Sequence, residues 1–238
     1  MSLFVVSVPI GNKNDITLRA IETLRNADFL ICEERKVAFP LLKRLDVEKE
    51  LYELNEHTEE KQSDEIISLL LQGKDAAFFT DCGTPVFADP GTYFIKRCHE
   101  SHIPIHPIPG PSSLMAALSV AGVGIKEFHF AGFLPRSSED RKKELQRLQR
   151  FRCPVVIMDT PYRLQKLLLD VQSVYSGKKQ IVLLIALTQP GETILRDSVS
   201  AILKNFQKNP FKKEFILILE ADRPLKSKKH DKNMKRNK

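Results

Sequence analysis

Short apolar runs alternate with segments of helical periodicity along most of the 238-residue chain. The first apolar run, at residues 3–8, breaks into a loop at residues 9–12, and apolar residues then recur at helical spacing from Leu18 to Leu24. A second apolar run at residues 28–32 completes a strand–helix–strand unit. Because such a unit joins two parallel strands through a crossover helix, the sequence predicts an α/β fold with a parallel sheet.

The alternation continues to about residue 120, where small residues at 121–124 interrupt it. Up to that point we predict further strands at 51–54, 76–80 and 105–108, and further helices at 39–45, 64–72, 93–101 and 113–120. A chain of this length can bury two separate cores. We therefore expect an N-terminal domain at residues 1–121 and a C-terminal domain at residues 122–222.

A second α/β rhythm follows the interruption. It predicts strands at 129–132, 154–158, 180–187, 193–197 and 215–219, and helices at 138–151, 162–175 and 199–206. A turn at residues 189–191 joins two of these strands directly, which is typical of an antiparallel hairpin. The expected architecture is a parallel-rich first sheet and a mixed second sheet, with a ligand cleft between them.

The excess positive charge lies at the C-terminus. Between Arg223 and Lys238 there are eight Lys or Arg and one Asp, which gives +7, equal to the formal net charge of the whole chain. Such a basic, apolar-poor tail is typical of disordered segments. It either adds a salt-sensitive attraction to nucleic-acid phosphate or only keeps the protein soluble.

Several other classes of protein are disfavoured by composition. No apolar run approaches the roughly 20 residues that a membrane span requires, and residues 1–8 are too short for a signal peptide, so we expect a soluble cytoplasmic protein. The four cysteines, at positions 32, 82, 98 and 153, form no CxxC pair. We therefore expect neither a disulfide framework nor a metal site.

Four loops that follow predicted strands, at residues 8–12, 80–91, 108–113 and 158–163, are candidates for ligand binding, because ligands of open α/β sheets bind beyond the carboxyl ends of the strands. The first loop lacks the GxGxxG and GxxxxGK[ST] patterns of nucleotide sites. The second contains two Gly, two Pro and two Asp. It is either a rigid ligand-binding loop or only a structural turn in which Asp89 caps the next helix.

The order and spacing of these loops resemble the ribosomal RNA small-subunit methyltransferase I family of the tetrapyrrole methylase superfamily. The resemblance covers about residues 3–220 and rests on Val-Pro-Ile-Gly-Asn at 8–12, Asp-Ile-Thr-Leu-Arg-Ala at 15–20, Asp-Cys-Gly-Thr-Pro at 81–85, Asp-Pro-Gly at 89–91, Pro-Ile-Pro-Gly-Pro-Ser-Ser at 107–113 and Gly-Phe-Leu-Pro-Arg at 132–136. It implies a two-domain homodimer that binds S-adenosylmethionine in the interdomain cleft. It further implies methylation of the 2′-hydroxyl of a cytidine in small-subunit (16S) ribosomal RNA.

Positions in these motifs imply which residues contact the cofactor. From the first domain they are Val8, Pro9, Gly83, Thr84, Pro85, Phe87, Ser112 and Ser113, and from the second domain Met158, Ala186 and Phe215. Most of these side chains are small or apolar. We therefore expect backbone groups to provide much of the polar recognition, although Ser112 and Ser113 could equally cap a helix.

Three segments depart from the family pattern. Glu-Glu-Arg-Lys at 33–36 replaces the usual Glu-Asp-Thr-Arg, Asn-Glu-His-Thr at 55–58 replaces His-Glu-His-Asn, and Met-Asp-Thr-Pro-Tyr-Arg at 158–163 replaces Tyr-Glu-Ser-Pro-His-Arg. Since a hydroxyl acceptor must lose its proton, a general base is required. The candidates are Glu34, Glu56, His57 and Asp159, each of which could instead have a surface or capping role.

The substrate is less well defined than the fold. A basic run follows Arg136 and comprises Arg141, Lys142, Lys143, Arg147, Arg150 and Arg152. Arg136 and this run could contact RNA phosphate, or the run could form only a solvated helix face. Two other functions remain open. One is methylation of a tetrapyrrole on the same fold, although such enzymes usually carry Gly-Asp-Pro where this chain has Asp-Cys-Gly-Thr-Pro. The other is cofactor binding without catalysis.

Overall fold

The computed structural model describes residues 1–87 and 89–221, and in them the strands form two five-stranded sheets. The first sheet is entirely parallel and has the order β3-β2-β4-β1-β5. Its strands are β1 (Ser2–Val6), β2 (Phe29–Cys32), β3 (Glu50–Glu53), β4 (Asp75–Phe78) and β5 (Ile105–Ile108). The basic tail expected from residue 223 onward lies outside the described residues.

Helices cover both faces of the first sheet. On one face the buried side chains of α1 (Leu18–Asn26) and α2 (Arg35–Arg44) pack with Val6 and Leu30, and on the other those of α3 (Glu59–Leu71) and α4 (Thr92–Glu100) pack with Leu3 and Ile31. A parallel sheet buried on both sides needs apolar residues at successive positions. This requirement explains the apolar runs of the inner strands β1, β2 and β4, whereas the edge strands β3 and β5 have exposed positions.

The second sheet is mixed, as the sequence predicts. It has the order β6-β7-β10-β8-β9, in which β6 and β7 are parallel and the other pairs are antiparallel. Its strands are β6 (His129–Phe133), β7 (Val155–Asp159), β8 (Gln180–Ile185), β9 (Thr193–Ser198) and β10 (Phe215–Leu219). The α/β class with a parallel-rich first sheet and a mixed second sheet is therefore confirmed.

One face of the second sheet packs against three helices, α6 (Ser138–Leu148), α7 (Leu164–Tyr175) and α8 (Val199–Lys208). Its other face is covered by α5 (Ser113–Val120), whose buried residues Leu114 and Leu118 pack with Val156 and Ile216. Helix α5 thus follows the first sheet in sequence but packs against the second. The domain boundary expected at residues 121–124 stays a prediction.

Within the described residues, no helix combines the length and the apolarity needed to cross a membrane.

Candidate active site

A cleft lies between the two sheets, next to loops that leave the carboxyl ends of their strands. The cavity in this cleft has a volume of about 210 Å³ and is open to solvent. From the first half of the chain it is lined by Ile10, Cys82, Gly83, Thr84, Phe87, Asp89, Ser112 and Ser113. From the second half it is lined by Phe133, Met158, Asp159, Leu184, Leu187, Gln189, Glu214, Phe215 and Ile216.

Hydrogen bonds hold together the first-sheet loops that form one wall of the cleft. The backbone N–H of Val8 donates to the Gly83 carbonyl at 2.9 Å, and the Gly83 N–H donates back to the Val8 carbonyl at 3.1 Å. The Thr84 hydroxyl oxygen lies 2.9 Å from that of Ser7 and donates to the Pro111 carbonyl at 3.2 Å. The loops after β1, β4 and β5 are therefore fixed relative to one another.

The backbone of the loop after β4 has an unusual conformation. Gly83 has φ +74°, which glycine adopts without steric cost, but Val86 has φ +70°, which a β-branched residue rarely adopts. Such conformations cost about 1–3 kcal/mol and persist where the surrounding structure imposes them, often at functional sites. The next residue, Phe87, lines the cleft. The strained turn therefore sets where Phe87 lies.

The two halves of the chain meet at the margins of the cleft. The centroids of the Phe87 and Phe130 rings are 4.5 Å apart. The Asn12 N–H donates to the Thr188 hydroxyl at 3.0 Å. A Cβ on Gly11 would overlap Cγ of Gln189, so glycine permits the loop after β1 to contact the loop after β8 closely.

Seven of the eleven residues implied as cofactor contacts line the cleft: Gly83, Thr84, Phe87, Ser112, Ser113, Met158 and Phe215. Ser112 also caps α5, because its hydroxyl accepts a hydrogen bond of 3.5 Å from the Met115 N–H. The cofactor role of all eleven stays a prediction.

The other four residues do not line the cleft. Val8 is buried and contributes through its backbone, Pro85 is also buried, and Pro9 lines a neighbouring groove. Ala186 is buried too, and its N–H donates to the Glu214 carbonyl at 2.8 Å. Ala186 therefore lies behind the cleft lining and holds the backbone of Glu214, which lines the cleft.

Among the four candidates for a general base, Asp159 alone lines the cleft. Glu34 precedes α2, where its side chain makes an ion pair of 2.8 Å with Lys36. Glu56 and His57 lie in an exposed turn, 3.6 Å from each other. The structure therefore does not bring these candidates together.

Asp159 is the last residue of β7 and its side chain is fully buried. Oδ1 accepts a hydrogen bond of 2.7 Å from the Thr160 N–H and lies 3.2 Å from Nε of Arg163. Oδ2 has no hydrogen-bond partner within the described residues. Burial raises the pKa of this carboxyl, because removal from water disfavours the charged form. An unpartnered carboxylate oxygen, itself buried, therefore lies in the wall of the cleft.

The cleft is acidic. Asp89, Asp159 and Glu214 line it, whereas no Lys, Arg or His does so in the part of the chain that the structure describes. Burial raises the pKa of Asp89 and of Glu214 as well. A cleft lined by one sign of charge favours a ligand of the opposite sign. The arrangement therefore suits a cationic ligand and does not suit a polyphosphate.

Asp89 and Glu214 were not predicted as cleft residues. Capping of α4 by Asp89 was one of two alternatives, but Gly91 holds the capping position. The Asp89 carboxylate instead accepts a hydrogen bond of 3.1 Å from the Thr80 hydroxyl. The only available signal was the position of Asp89 in a loop rich in Gly and Pro. Glu214 directly precedes a strand and carries no comparable signal.

The basic run after Arg136 does not form one continuous cationic surface. Arg141 is buried and ion-paired with Asp170 at 2.6 Å, so neither RNA contact nor a solvated helix face, the two alternatives for this run, applies to it. Lys142, Lys143 and Arg147 make ion pairs of their own with Asp170, Glu139 and Glu144. The balance of charge on α6 explains why most of this run is a solvated helix face.

The two-sheet fold and its cleft define a methylase of the tetrapyrrole type. The family model described as "Tetrapyrrole (Corrin/Porphyrin) Methylases" matches residues 2–203. The chain is 35% identical to a "Ribosomal RNA small subunit methyltransferase I" from Neisseria meningitidis serogroup A over 97% of this chain and 78% of the relative. It is 33% identical to the protein of that name from Thermotoga maritima over 92% and 98%. The chain belongs to the ribosomal RNA small subunit methyltransferase I family.

Solved structures show how widely this fold is shared. A diphthine synthase superposes with a TM-score of 0.73 at 15% identity, covering 93% of this chain and 90% of that one. A cobalt precorrin-4 methyltransferase superposes with a TM-score of 0.68 at 16% identity, covering 92% and 94%. Because their names differ in the molecule acted on, the fold by itself does not define the acceptor.

Proposed function

We propose that this protein transfers a methyl group from S-adenosylmethionine to the 2′-hydroxyl of a cytidine in 16S ribosomal RNA of the small subunit. The observation that carries the proposal is the acidic cleft with the unpartnered Asp159 oxygen in its wall. The names of the relatives support the ribosomal acceptor. The cytidine and its 2′-hydroxyl are supported by the resemblance of the loop motifs.

The cleft residues fit the chemistry of this cofactor. S-adenosylmethionine carries a sulfonium and an ammonium group, and Asp89, Asp159 and Glu214 could balance these charges. The hydroxyls of Ser112 and Ser113, at the start of α5, suit a carboxylate or a ribose. Phe87, Met158 and Phe215 supply apolar surface for the adenine ring.

When bound, the cofactor supplies a methyl group activated by the sulfonium charge. The ribose oxygen would take this methyl group as the carbon–sulfur bond breaks, S-adenosylhomocysteine would leave, and the hydroxyl proton would have to pass to a base. The chain can contribute by holding the hydroxyl in line with the methyl group, since position and orientation supply much of such an acceleration. We assign the proton acceptor to Oδ2 of Asp159, because it is unpartnered and a raised pKa makes a carboxylate a better base.

The test is methyl transfer from radiolabelled S-adenosylmethionine to small ribosomal subunits that lack 2′-O-methylation, followed by mapping of the labelled nucleotide. Large subunits serve as the matched control acceptor. We expect label on a single cytidine ribose of 16S ribosomal RNA and none on large subunits. Label on a base, or cofactor binding without any transfer to either subunit, would contradict the proposal.

A tetrapyrrole acceptor is the second candidate, supported by the shared fold of the cobalt precorrin-4 methyltransferase. The same labelled cofactor with uroporphyrinogen or precorrin as acceptor distinguishes the two. Transfer to the tetrapyrrole and not to the subunits would favour this second function. Cofactor binding with no transfer to any acceptor would indicate a homologue without catalysis, which the departures at residues 33–36 and 55–58 leave open.

Two further properties go with the ribosomal acceptor. Since ribosomal subunits are located in the cytoplasm, we propose that the protein acts there. The family resemblance also implies a homodimer, which would extend the surface available to RNA. Sedimentation velocity at micromolar concentration tests it, since a dimer and a monomer of 27.2 kDa are well resolved.

A further inference from the structure

A groove adjoins the cleft on the side of the second sheet. It is lined by Phe133, Leu134, Pro135, Arg136, Thr160 and Arg163. Phe133 lines the groove and the cleft as well. Of its surface, 53% is exposed. An exposed aromatic ring thus lies where the two depressions meet.

Two arginines hold the loop that carries this ring. Nη2 of Arg163 donates to the carbonyls of Leu134 and Pro135, both at 2.7 Å. Nη1 of Arg141 donates to the carbonyls of Pro135 and Arg136, at 3.1 and 3.0 Å. The backbone that follows Phe133 is therefore held in place before a ligand arrives, which lowers the entropic cost of binding.

The groove and the cleft differ in charge. The cleft is lined by carboxylates, whereas the groove has two guanidinium groups and no carboxylate in its lining. Arg163 is engaged with Asp159 and with the loop carbonyls. Within the described residues, the guanidinium of Arg136 has no carboxylate partner, so it is free to meet an anion. The cleft therefore suits a cation and the groove suits a group that carries negative charge.

We propose that this groove binds the target nucleotide of the RNA, with the base stacked on Phe133 and an adjacent phosphate on Arg136. The inference rests on the proposed function and names the subsite for its acceptor. Unpaired bases of RNA are commonly recognised by stacking on aromatic side chains together with contacts from arginine. A base stacked on Phe133 would place its ribose next to the cleft, because the Phe133 side chain lies at the border of the groove and the cleft.

The test compares Phe133→Leu, which removes the aromatic face, with Phe133→Tyr, which keeps it. Phe39→Leu is the matched control, because Phe39 has a similar exposure, 55%, but lies on α2 outside both lining sets. Three quantities are measured: kcat/KM for methyl transfer to small subunits, the Kd for those subunits and the Kd for S-adenosylmethionine. The cofactor Kd also reports whether each variant is folded.

We expect Phe133→Leu to lower kcat/KM and subunit affinity by about 10- to 100-fold, as loss of one stacked base does. Phe133→Tyr should recover most of the kcat/KM and subunit affinity that Phe133→Leu loses, because it keeps the aromatic face. Cofactor affinity should fall far less than subunit affinity in Phe133→Leu, and Phe39→Leu should leave all three quantities unchanged. Arg136→Gln should raise the Kd for subunits and reduce its dependence on salt, because one phosphate contact is lost.

Unchanged subunit affinity in Phe133→Leu would overturn the groove assignment while leaving the proposed acceptor intact. If Phe133→Leu lowered cofactor affinity as much as subunit affinity, the groove assignment would also be overturned, since Phe133 would then belong to the cofactor site. If the unaltered protein transfers no methyl group to small subunits, the proposed acceptor is wrong and the nucleotide subsite is wrong with it.

Discussion

Nη2 of Arg141 lies 2.6 Å from Oδ2 of Asp170, and both side chains are almost completely buried, with exposures of 2% and 7%. The Ser138 hydroxyl donates to the same carboxylate at 2.9 Å. Nε of Arg141 donates to Oδ2 of Asp170 at 2.8 Å, and Nη1 donates to the carbonyls of Pro135 and Arg136. This pair therefore connects the core beneath α6 and α7 to the loop that borders the cleft.

Replacing Arg141 with Met should destabilise the protein by about 3–5 kcal/mol, because the substitution leaves the Asp170 carboxylate buried without its main partner. Adding Asp170→Leu should recover part of the loss, since the charge that lacks a partner is then removed as well. Denaturant unfolding measures both variants. Lys142→Met is the control: Lys142 also contacts Asp170 but is 44% exposed, and its loss should cost less than about 1 kcal/mol. Equal costs for the two single variants would contradict this account.

Replacing Gly11 with Ala should push apart the loops after β1 and β8, because a Cβ at this position overlaps Cγ of Gln189 and lies 3.0 Å from the Leu187 carbonyl oxygen. Overpacking of this kind costs about 1–3 kcal/mol. Since Gln189 and Leu187 line the cleft, affinity for S-adenosylmethionine should also fall.

Isothermal titration and denaturant unfolding measure the two effects of Gly11→Ala. Gly124→Ala is the matched control, because a Cβ there has no heavy atom within 4 Å. The control should change neither quantity. Retained stability and retained affinity in Gly11→Ala would show that the two loops can separate without consequence.

The fold was predictable from the sequence because the alternation of apolar runs and helical periods is set by local spacing. The hairpin of β8 and β9 was predictable for the same reason, since a turn at 189–191 joins two apolar runs. The packing of α5 was not predictable. Its residues Leu114 and Leu118 contact strands more than 35 positions away in sequence, and periodicity indicates that a face is buried but not what covers it.

The site was predictable where backbone shape determines it. Gly83, Thr84 and Phe87 lie in a loop whose glycines and prolines restrict the chain, and all three line the cleft. Side-chain partners could not be predicted in the same way. Arg141 was interpreted as a surface cation, yet it shares the buried face of α6 with Leu145 and Leu148 at spacings of four and seven. That spacing was the signal that it points inward.

The stability of the protein should depend on Glu33. This side chain is half-buried at the end of β2, and its Oε2 accepts a hydrogen bond of 3.4 Å from the Asp81 N–H. Burial raises its pKa from 4.5 to about 7, and the nearby carboxylates of Asp81, Asp89 and Glu34 act in the same direction.

Because the pKa is higher in the folded state than in the unfolded state, the folded protein holds the proton more tightly between these values. The contribution to stability is fully present below pH 4.5 and is lost as pH rises through about 7. We expect the titration of Glu33 to lower the free energy of unfolding by about 1–2 kcal/mol between about pH 5 and pH 8. This value is smaller than the full pKa shift would give, because solvent screens the charge of a half-buried carboxyl.

Denaturant unfolding across this pH range, for the unaltered protein and for Glu33→Gln, tests the assignment. The Gln variant should lose most of the dependence near pH 7, since it cannot titrate. Glu34→Gln is the adjacent control and should keep most of that dependence, because burial raises the pKa of Glu33 more than the Glu34 carboxylate does. An unchanged pH profile in Glu33→Gln would mean that another carboxyl is responsible.

Replacing Asp159 with Asn distinguishes two roles for the unpartnered oxygen in the cleft. As the proton acceptor, the carboxylate would be needed for the chemical step, and general bases contribute about 10²- to 10⁴-fold to rates. We therefore expect the single-turnover rate at saturating cofactor to fall by at least about 100-fold, with little change in the Kd for S-adenosylmethionine. The alternative role is to balance the positive charge of the cofactor, in which case the Kd would rise about tenfold and the saturated rate would be retained.

The control is Asp197→Asn, because Asp197 is an exposed acid on β9 outside the cleft lining. This control should alter neither the rate nor the Kd. Asp159→Asn also removes the charge that pairs with Arg163, so denaturant unfolding should show some loss of stability in this variant.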